Sequence, residues 1–398
     1  MLDLTKVARS LPGMSQHLKA EAKASLQRKE RAIALLQQAR ARQQDLVELQ
    51  KQWRDRLIFA AATPLEPLDT CVDLFAPPTQ HTVFATDGSQ IAPSHHEIAY
   101  CYLINVGRVM LHYGQSLHPL LDSLPEVFYK PEDLYVSKQW GIRTEEWMGY
   151  RRMVSEAQML AEMACRWVRP PGAHYDTPNL AMVDGSLIYW FLEGMPTDAR
   201  DRLLPPMLAA WDTLQQERVP MMGYLSASRS GEANNFLRLQ ACPYDTPNCG
   251  SHCQNVRDRL PCQIIDPLRD STLGETLLQP GQRGPLWMSS ARILELYPES
   301  LRTCFCYVHV GTEVARVEVP RWVAEDETLL NQSLSILLGQ VYKGYGYPVA
   351  LAESHNQAVV RGGDRARFFS LLEQQMIRVG LQNVGTSYKE ARKRGSIA

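Results

Sequence analysis

The sequence predicts an α/β or α+β protein with a central mixed β-sheet flanked by helices. Short β-branched and aromatic runs alternate with amphipathic segments of helical length, which is the pattern of a sheet covered by helices. Of the 398 residues, 45% are hydrophobic and 21% charged, an ordinary globular composition. This length allows one large domain or two to three smaller ones.

Bulk charge and the N-terminal sequence exclude few functions. The formal net charge is −1, so global basicity gives no sign of nucleic-acid binding, although a local basic face can still contact phosphates. Residues 17–57 and 389–394 are rich in cations and are candidates for such a face, or for solvated surface. No apolar run approaches the roughly 20 residues that cross a bilayer, and no signal-peptide pattern opens the chain. We therefore expect no membrane partner and a cytoplasmic location, where the nine cysteines stay mostly reduced.

A long helical arm is predicted near the N-terminus. Residues 15–58 contain neither Gly nor Pro, and apolar side chains recur every three or four residues with one slip near Arg40. This spacing indicates one long amphipathic helix or a helical hairpin. We assign residues 1–62 to an arm for dimerisation or partner docking. Residues 80–398 form the main domain, with a Cys-rich insert at about 240–263.

The strands and helices after the arm are predicted from the spacing of their hydrophobic residues and from the Gly and Pro residues that interrupt them. A strand, a turn and a hairpin are predicted from residue 82 to 111, with Gly107 as a turn. Further strands are predicted at 180–183 and 222–226, and a hairpin at 303–319 turns around Gly311. Helices are predicted at 145–168, 199–218, 234–239, 326–338 and 365–378.

Two of the predicted strands end in the same tripeptide, Asp-Gly-Ser, at Asp87 and at Asp184. A carboxylate at a strand end, beside a Gly that lets the chain turn, points into a cleft at the edge of the sheet. Two such carboxylates can share divalent ions, because Mg²⁺ and Mn²⁺ prefer oxygen ligands. The alternative is that Asp-Gly-Ser is good turn chemistry and nothing more.

Further candidate ligands lie between and after these motifs. The helix between them carries Glu156 and Glu162, and His355 lies in the C-terminal region. In-line phosphodiester cleavage needs two metal ions about 3.5 to 4 Å apart. A set of two Asp, one Glu and one His can surround such a pair of ions. Without the two Asp motifs, His355 would be interpreted as a hydrogen-bonded core or cleft histidine.

The order of these motifs resembles that of the NurA nuclease family, whose members work with the hexameric HerA translocase in DNA end resection. The resemblance spans roughly residues 80–395. It is carried by short motifs whose order and spacing are more specific than any one of them. These are residues 86–89, 151–156, 183–187, 224–226, 237–239 and 346–348, followed by His355.

The resemblance implies an RNase H-like core, two Mn²⁺ (or Mg²⁺) ions, a homodimer, and exo- and endonuclease activity on DNA. Asp87 and Asp184 match the two metal-binding Asp positions, and His355 matches the late His. Tyr347 matches the nearby Tyr and is a candidate catalytic residue.

The acidic residue on the helix is Glu156 by alignment, although Glu162 lies closer in sequence to Asp184. Arg151 and Arg152, on the same helix, are candidate DNA contacts or side chains that only extend to solvent.

Four cysteines, Cys242, Cys249, Cys253 and Cys262, fall within 21 residues. Their gaps differ from those of common zinc fingers, but four thiolates could hold Zn²⁺ or an iron–sulfur cluster. His252 adds a fifth candidate ligand. The alternative is an irregular insert with free thiols.

Three functions compete at this stage. The first is a metal-dependent DNA nuclease that a ring translocase supplies with DNA ends. The second is a non-catalytic DNA- or partner-binding protein that keeps the nuclease fold. The third is a redox or metal sensor centred on the cysteines.

Overall fold

The computed structural model describes residues 3–94, 99–170, 177–254, 256 and 258–380. The basic tail at 389–394 lies outside the described residues. The helices are α1 Leu4–Ala41, α2 Gln43–Trp53, α3 Pro131–Leu134, α4 Thr144–Val168, α5 Thr197–Gln216, α6 Glu232–Gln240, α7 Cys249–His252, α8 Asp270–Leu277, α9 Arg321–Ala324, α10 Glu327–Lys343, α11 Val349–Ala358 and α12 Gly362–Arg378. The strands are β1 Thr63–Pro64, β2 Val72–Asp73, β3 His81–Ile91, β4 Tyr102–Tyr113, β5 Leu120–Phe128, β6 Asn179–Asp184, β7 Met221–Leu225, β8 Gln282–Arg283, β9 Trp287–Met288, β10 Thr303–His309 and β11 Val314–Pro320.

The chain forms two compact units, each built from two separate stretches of sequence. Unit 1 comprises Met1–Phe75 and Tyr224–Ala324, and unit 2 comprises Ala76–Gly223 and Glu325–Ala398. The N-terminal arm and the Cys-rich segment therefore belong to the same unit. The boundaries at 1–62 and 80–398 remain predictions about domains.

The sheet of unit 2 has the strand order β7-β6-β3-β4-β5. Strands β3, β4 and β5 follow one another as an antiparallel meander. Strand β6 returns parallel to β3, with Thr82 beside Asn179 at one end and Thr86 beside Val183 at the other. This mixed sheet, with helices packed on it, confirms the predicted fold class.

Two helices pack on opposite faces of β3. Alternate residues of a strand face opposite sides of the sheet. On one side the Thr86 hydroxyl donates to the backbone carbonyl of Glu156 in α4 at 3.1 Å. On the other side the Ser89 hydroxyl donates to the carbonyl of Ala358 at the end of α11. The strand that carries Asp87 is thus held between α4 and α11.

The first Asp-Gly-Ser is not a turn, contrary to the sequence prediction. Strand β3 continues to Ile91, and Asp87 pairs with Gly107 of β4. The predicted turn at Gly107 is also wrong, because Gly107 lies inside β4. A Cβ at Gly107 would approach the backbone of α11 to 2.5 Å at Ala358 N. This glycine therefore permits close packing of a helix on the strand instead of a turn.

Unit 1 surrounds a hydrophobic core to which the arm contributes. Helices α1 and α2 are separated at Arg42, two residues after the slip in the apolar pattern, and α1 begins earlier than predicted, at Leu4. The hairpin β10–β11 forms as predicted, with φ of +98° at Gly311. The buried core residues that come from the arm are Ala32, Leu35, Leu36, Ala39 and Leu46.

Within the described residues, no helix is both long and apolar enough to span a bilayer.

Candidate functional site

The two predicted Asp residues lie side by side at the point where the parallel pairing of β3 and β6 ends. The β3–β6 pairing runs as far as Thr86 beside Val183, so one step further places Asp87 beside Asp184. Neighbours in register project from the same face of the sheet, on strands about 4.8 Å apart. Asp184 is exposed, and Gly185 after it has φ of +123°, a conformation that favours Gly and ends the strand.

His355 is brought to Asp87 by α11. Its Nδ1 lies 2.8 Å from Asp87 Oδ2, while Asp87 Oδ1 accepts the Gly88 N–H at 2.8 Å. A carboxylate can only accept, so Nδ1 is the donor and Nε2 is the nitrogen left for another partner. The His355 side chain is 65% exposed, so that nitrogen is open to a ligand or substrate.

Two polar side chains of the sheet fix the C-terminal end of α11. The Ser89 hydroxyl and the Asn105 amide both donate to the carbonyl of Ala358, the amide at 2.8 Å. The last carbonyls of a helix otherwise lack partners, so these bonds hold the helix that carries His355. The repeated tripeptide had marked Ser89 in the sequence, but no sequence signal marked Asn105.

Glu156 approaches the same strand from the α4 face. Its Oε1 lies 3.1 Å from Arg152 Nε, and only 22% of its side chain is exposed. A Cβ at Gly88 would come within 2.7 Å of Arg152 Cγ and would also overlap Glu156. A side chain at position 88 would therefore force Arg152 and Glu156 to move from their positions against β3.

Burial raises the pKa of Glu156 to about 7. Arg152 opposes that shift, whereas the negative charges of Asp87 and Asp184 add to it. Asp87 and Asp184 are thus each close enough to Glu156 to disfavour its charged form. A cation between them would relieve this repulsion.

The remaining predicted residues take different positions. Glu162 is exposed and forms an ion pair with Arg166 at 2.8 Å, so Glu156 is the acidic residue of α4 that lies near the Asp pair. Arg152 pairs with Glu156, whereas the Arg151 guanidinium lies 5.9 Å from the ring centre of Phe128. Tyr347 lies in the turn before α11, two helical turns ahead of His355.

The donor set fits a hard divalent ion. Asp87, Asp184 and Glu156 supply carboxylate oxygens, which Mg²⁺ and Mn²⁺ prefer. Glu156 Oε1 is buried and lies 3.1 Å from Arg152 Nε, so a metal would have to displace this ion pair to bind that oxygen. Among the described residues, no three His, Cys, Asp or Glu side chains already stand as a formed metal site. Binding would therefore require side chains of the site to rearrange.

The four cysteines of the insert are all free and line one pocket of unit 1. His252, the fifth candidate ligand, is exposed and stacks on the Tyr244 ring at 4.3 Å between ring centres. The sequence grouping is therefore also a grouping in space.

Comparison with known proteins identifies the family of the chain. The family model described as the NurA domain matches residues 81–360, and no curated protein matches. The crystal structure of the NurA nuclease from Sulfolobus solfataricus is similar, with a TM-score of 0.53 and 12% identity over 95% of this chain and 98% of that chain. A crystal structure of NurA bound to dAMP and manganese aligns with a TM-score of 0.39 and 9% identity, over 85% of this chain and 95% of that chain. The matched region contains every residue of the candidate carboxylate site, and the chain belongs to the NurA domain family.

Proposed function

We propose that this protein is a divalent-metal-dependent deoxyribonuclease whose centre is formed by Asp87, Asp184 and Glu156. The observation that carries the proposal is the register of β3 and β6, which sets two carboxylates side by side where the parallel pairing of these strands ends, with a third that senses the charge of both. The strand order of unit 2, an antiparallel three-stranded meander extended by a strand parallel to the first, supports the RNase H-like core that the family resemblance implies.

In this proposal the three carboxylates hold Mn²⁺ or Mg²⁺, in the two-ion arrangement that the resemblance implies. When bound, such ions activate the attacking water and stabilise the leaving oxygen of a phosphodiester. Asp87 also accepts the Nδ1–H of His355, which directs Nε2 outward. In the imidazolium form Nε2 carries a second proton, which it can donate to a phosphate oxygen or pass to the leaving oxygen. Arg152 balances the charge of Glu156 through its ion pair.

The biological setting is proposed from family membership. We propose that the enzyme processes DNA ends in double-strand-break repair, with a HerA-type hexameric ATPase as partner. Tyr347 and Arg151 would act on or near the DNA, as their positions in the family motifs imply.

A homodimer is part of the same proposal. Five exposed apolar side chains of α1 recur at alternating steps of three and four residues, the spacing of a helix-pairing seam. They support pairing of the arms of two copies and are Leu4, Val7, Leu11, Met14 and Leu18.

The decisive experiment measures cleavage of end-labelled linear DNA with Mn²⁺, with Mg²⁺ and with a chelator. Asp87→Asn and Asp184→Asn each remove one anionic ligand and keep the side-chain size. We expect loss of metal-dependent cleavage with an unchanged circular dichroism spectrum, and no cleavage by any form in chelator.

Two outcomes would contradict the proposal. Wild-type cleavage by either variant would remove that residue from the centre. Absence of cleavage by the wild-type protein, together with Mn²⁺ binding in calorimetry that Asp87→Asn leaves unchanged, would favour a non-catalytic DNA- or partner-binding protein.

A further inference from the structure

We propose that Cys242, Cys249, Cys253 and Cys262 of unit 1 bind one Zn²⁺ ion that holds the segment from 242 to 262 in place. The proposal does not depend on the nuclease function. It rests on the grouping of the thiols, on the packing of the segment and on a buried arginine beside the thiols.

The fold brings the four thiols to one small cavity. Cys242 follows α6, Cys249 begins the single turn of α7, and Cys253 is the residue directly after that turn. Cys249 and Cys253 are four residues apart, so both lie on the same side of α7. With Cys262 they line a pocket that encloses about 10 Å³. That volume is about one water-sized sphere, which suits a single ion better than a multi-iron cluster.

Little apolar packing holds this segment. Of its described residues only Pro247, Cys249 and Cys262 are buried, and its one helix is the four-residue α7. Segments with so little core are commonly held by a disulfide or a metal, and all four cysteines are free. Two of the three buried side chains are thus candidate ligands.

A buried cation faces the thiols. Arg238 of α6 is 5% exposed, and its Nη2 lies 3.5 Å from Cys262 Sγ. Its guanidinium lies 3.8 Å from the centre of the Phe59 ring, and its Nε is buried with no hydrogen-bond partner. Within the described residues Arg238 forms no ion pair with Asp or Glu, although a buried guanidinium ordinarily has an anionic partner.

Zinc ligation supplies that missing negative charge. Four thiolates around Zn²⁺ leave a net charge of −2, and N–H donors beside the sulfurs are the usual outer contacts of such a site. Each Zn–S bond that forms releases one thiol proton to solvent, and no redox partner is required. The thiols do not already stand as a formed site, so side chains must turn inward on binding. Cys242 and Cys253, the two that are only partly buried, have the most room to do so.

The test is elemental analysis of the full-length protein, purified without chelator and without a histidine tag. We expect about one zinc ion per chain and no iron. Cys249→Ser and Cys262→Ser each remove a buried ligand, and should leave less than roughly a tenth of the wild-type zinc. Cys71→Ser is the matched control, because Cys71 is exposed and outside the pocket, and should keep full zinc content.

A second measurement, on the wild-type protein, tests the proposal even if the two serine variants fail to fold. Thiols of the wild-type protein are titrated with a thiol reagent before and after removal of zinc with a chelator, and again after zinc is restored. We expect four more reactive thiols in the zinc-free form and their loss on restoration. Arg238→Met, which keeps contact with Phe59, should weaken zinc affinity by roughly 10- to 100-fold.

Three results would overturn the assignment. Iron in the elemental analysis, together with absorption in the visible range, would show that the site holds an iron–sulfur cluster and not zinc. Zinc retained in both serine variants would mean a surface ion bound elsewhere. A wild-type protein without zinc, whose thiol reactivity does not respond to added zinc, would leave four unmetallated thiols.

Discussion

At the scale of single residues, the choice between Glu156 and Glu162 shows what sequence spacing can and cannot predict. The two residues are six positions apart on α4, which places them about 120° apart around the helix and about 9 Å along it. Distance in sequence to Asp184 favoured Glu162, but the direction of the side chain decides which one meets the sheet. Glu156 faces β3 at Gly88, and Glu162 faces solvent and Arg166.

This difference gives a matched pair of variants. Glu156→Gln should lower metal-dependent DNA cleavage by more than the roughly 10- to 100-fold that loss of an outer partner of a metal site costs. Glu162→Gln, on the same helix, should leave the rate within about twofold, because exposed ion pairs contribute little. Steady-state cleavage of end-labelled DNA in Mn²⁺ measures both.

Thermal unfolding separates loss of function from loss of fold in this pair. Because burial raises the folded pKa of Glu156 to about 7, its charged form is disfavoured, and metal-free stability decreases as pH rises from about 4.5 to 7. Glu156→Gln removes that penalty, so at pH 8 it should unfold no lower than wild type. The assignment fails if Glu156→Gln cleaves normally while Glu162→Gln does not.

At the scale of elements, sequence patterns found most helices and strands but misjudged the pieces that position the site. Helix α4 begins one residue before the predicted start and ends where predicted. Strand β5 was missed because its apolar residues do not alternate with polar ones and it contains Pro125, which edge strands tolerate.

Helix α11 was also missed, although it carries His355. Gly344, Gly346 and Pro348 precede it and read as a loop. Pro348 in fact lies at the N-cap of this helix. Its packing partner, Gly107, is about 250 residues away, so no local pattern could have shown the contact.

That contact predicts a steric effect on catalysis. Gly107→Ala would place a Cβ 2.5 Å from Ala358 N, so α11 must move and His355 with it. We expect the free energy of unfolding to fall by about 1 to 3 kcal/mol and the cleavage rate to fall as well. Gly107 has no side chain that could take part in the reaction, so the effect on the rate would come from the displaced helix. Chemical denaturation and the cleavage assay, run on the same preparation, measure the two effects.

The control for this variant is Gly149→Ala in α4. A Cβ there meets nothing within 4 Å, and alanine in a helix is favoured over glycine by about 0.5 to 1 kcal/mol. This variant should be slightly more stable with unchanged activity. Equal behaviour of the two alanine variants would refute the role assigned to Gly107.

At the scale of the whole molecule, hydrophobic pattern predicted the arm but not what it packs against. The apolar stripe of α1 and α2 was visible, whereas most of its partners come from residues after 224. Sequence alone carries no signal that joins stretches so far apart. The second half of the arm is thus part of a core and not a free extension.

Two truncations test this organisation. Removing residues 1–62 deletes Leu35, Leu36 and Leu46 from the buried core of unit 1, so we expect loss of cooperative unfolding or aggregation. Removing residues 1–23 deletes side chains that are exposed where described, so the unfolding temperature should change by no more than a few degrees. Calorimetry measures both.

The shorter truncation also bears on the homodimer. It removes the exposed apolar stripe of α1, so light scattering should detect a monomer where the full chain is a dimer. A stable, monomeric protein lacking residues 1–62 would instead show that the arm is an independent appendage.

The two glycines around Asp87 have a consequence for mutational scanning and for design. Gly88 leaves room for the Arg152–Glu156 pair, and Gly107 leaves room for α11, so a side chain at either position forces its neighbours to shift. In a saturation library substitutions at both positions should lower activity, for reasons of shape alone. Sensitivity to substitution alone would then overstate the number of catalytic residues. A design that transfers this centre to another scaffold would need the space beside both glycines as well as the three carboxylates.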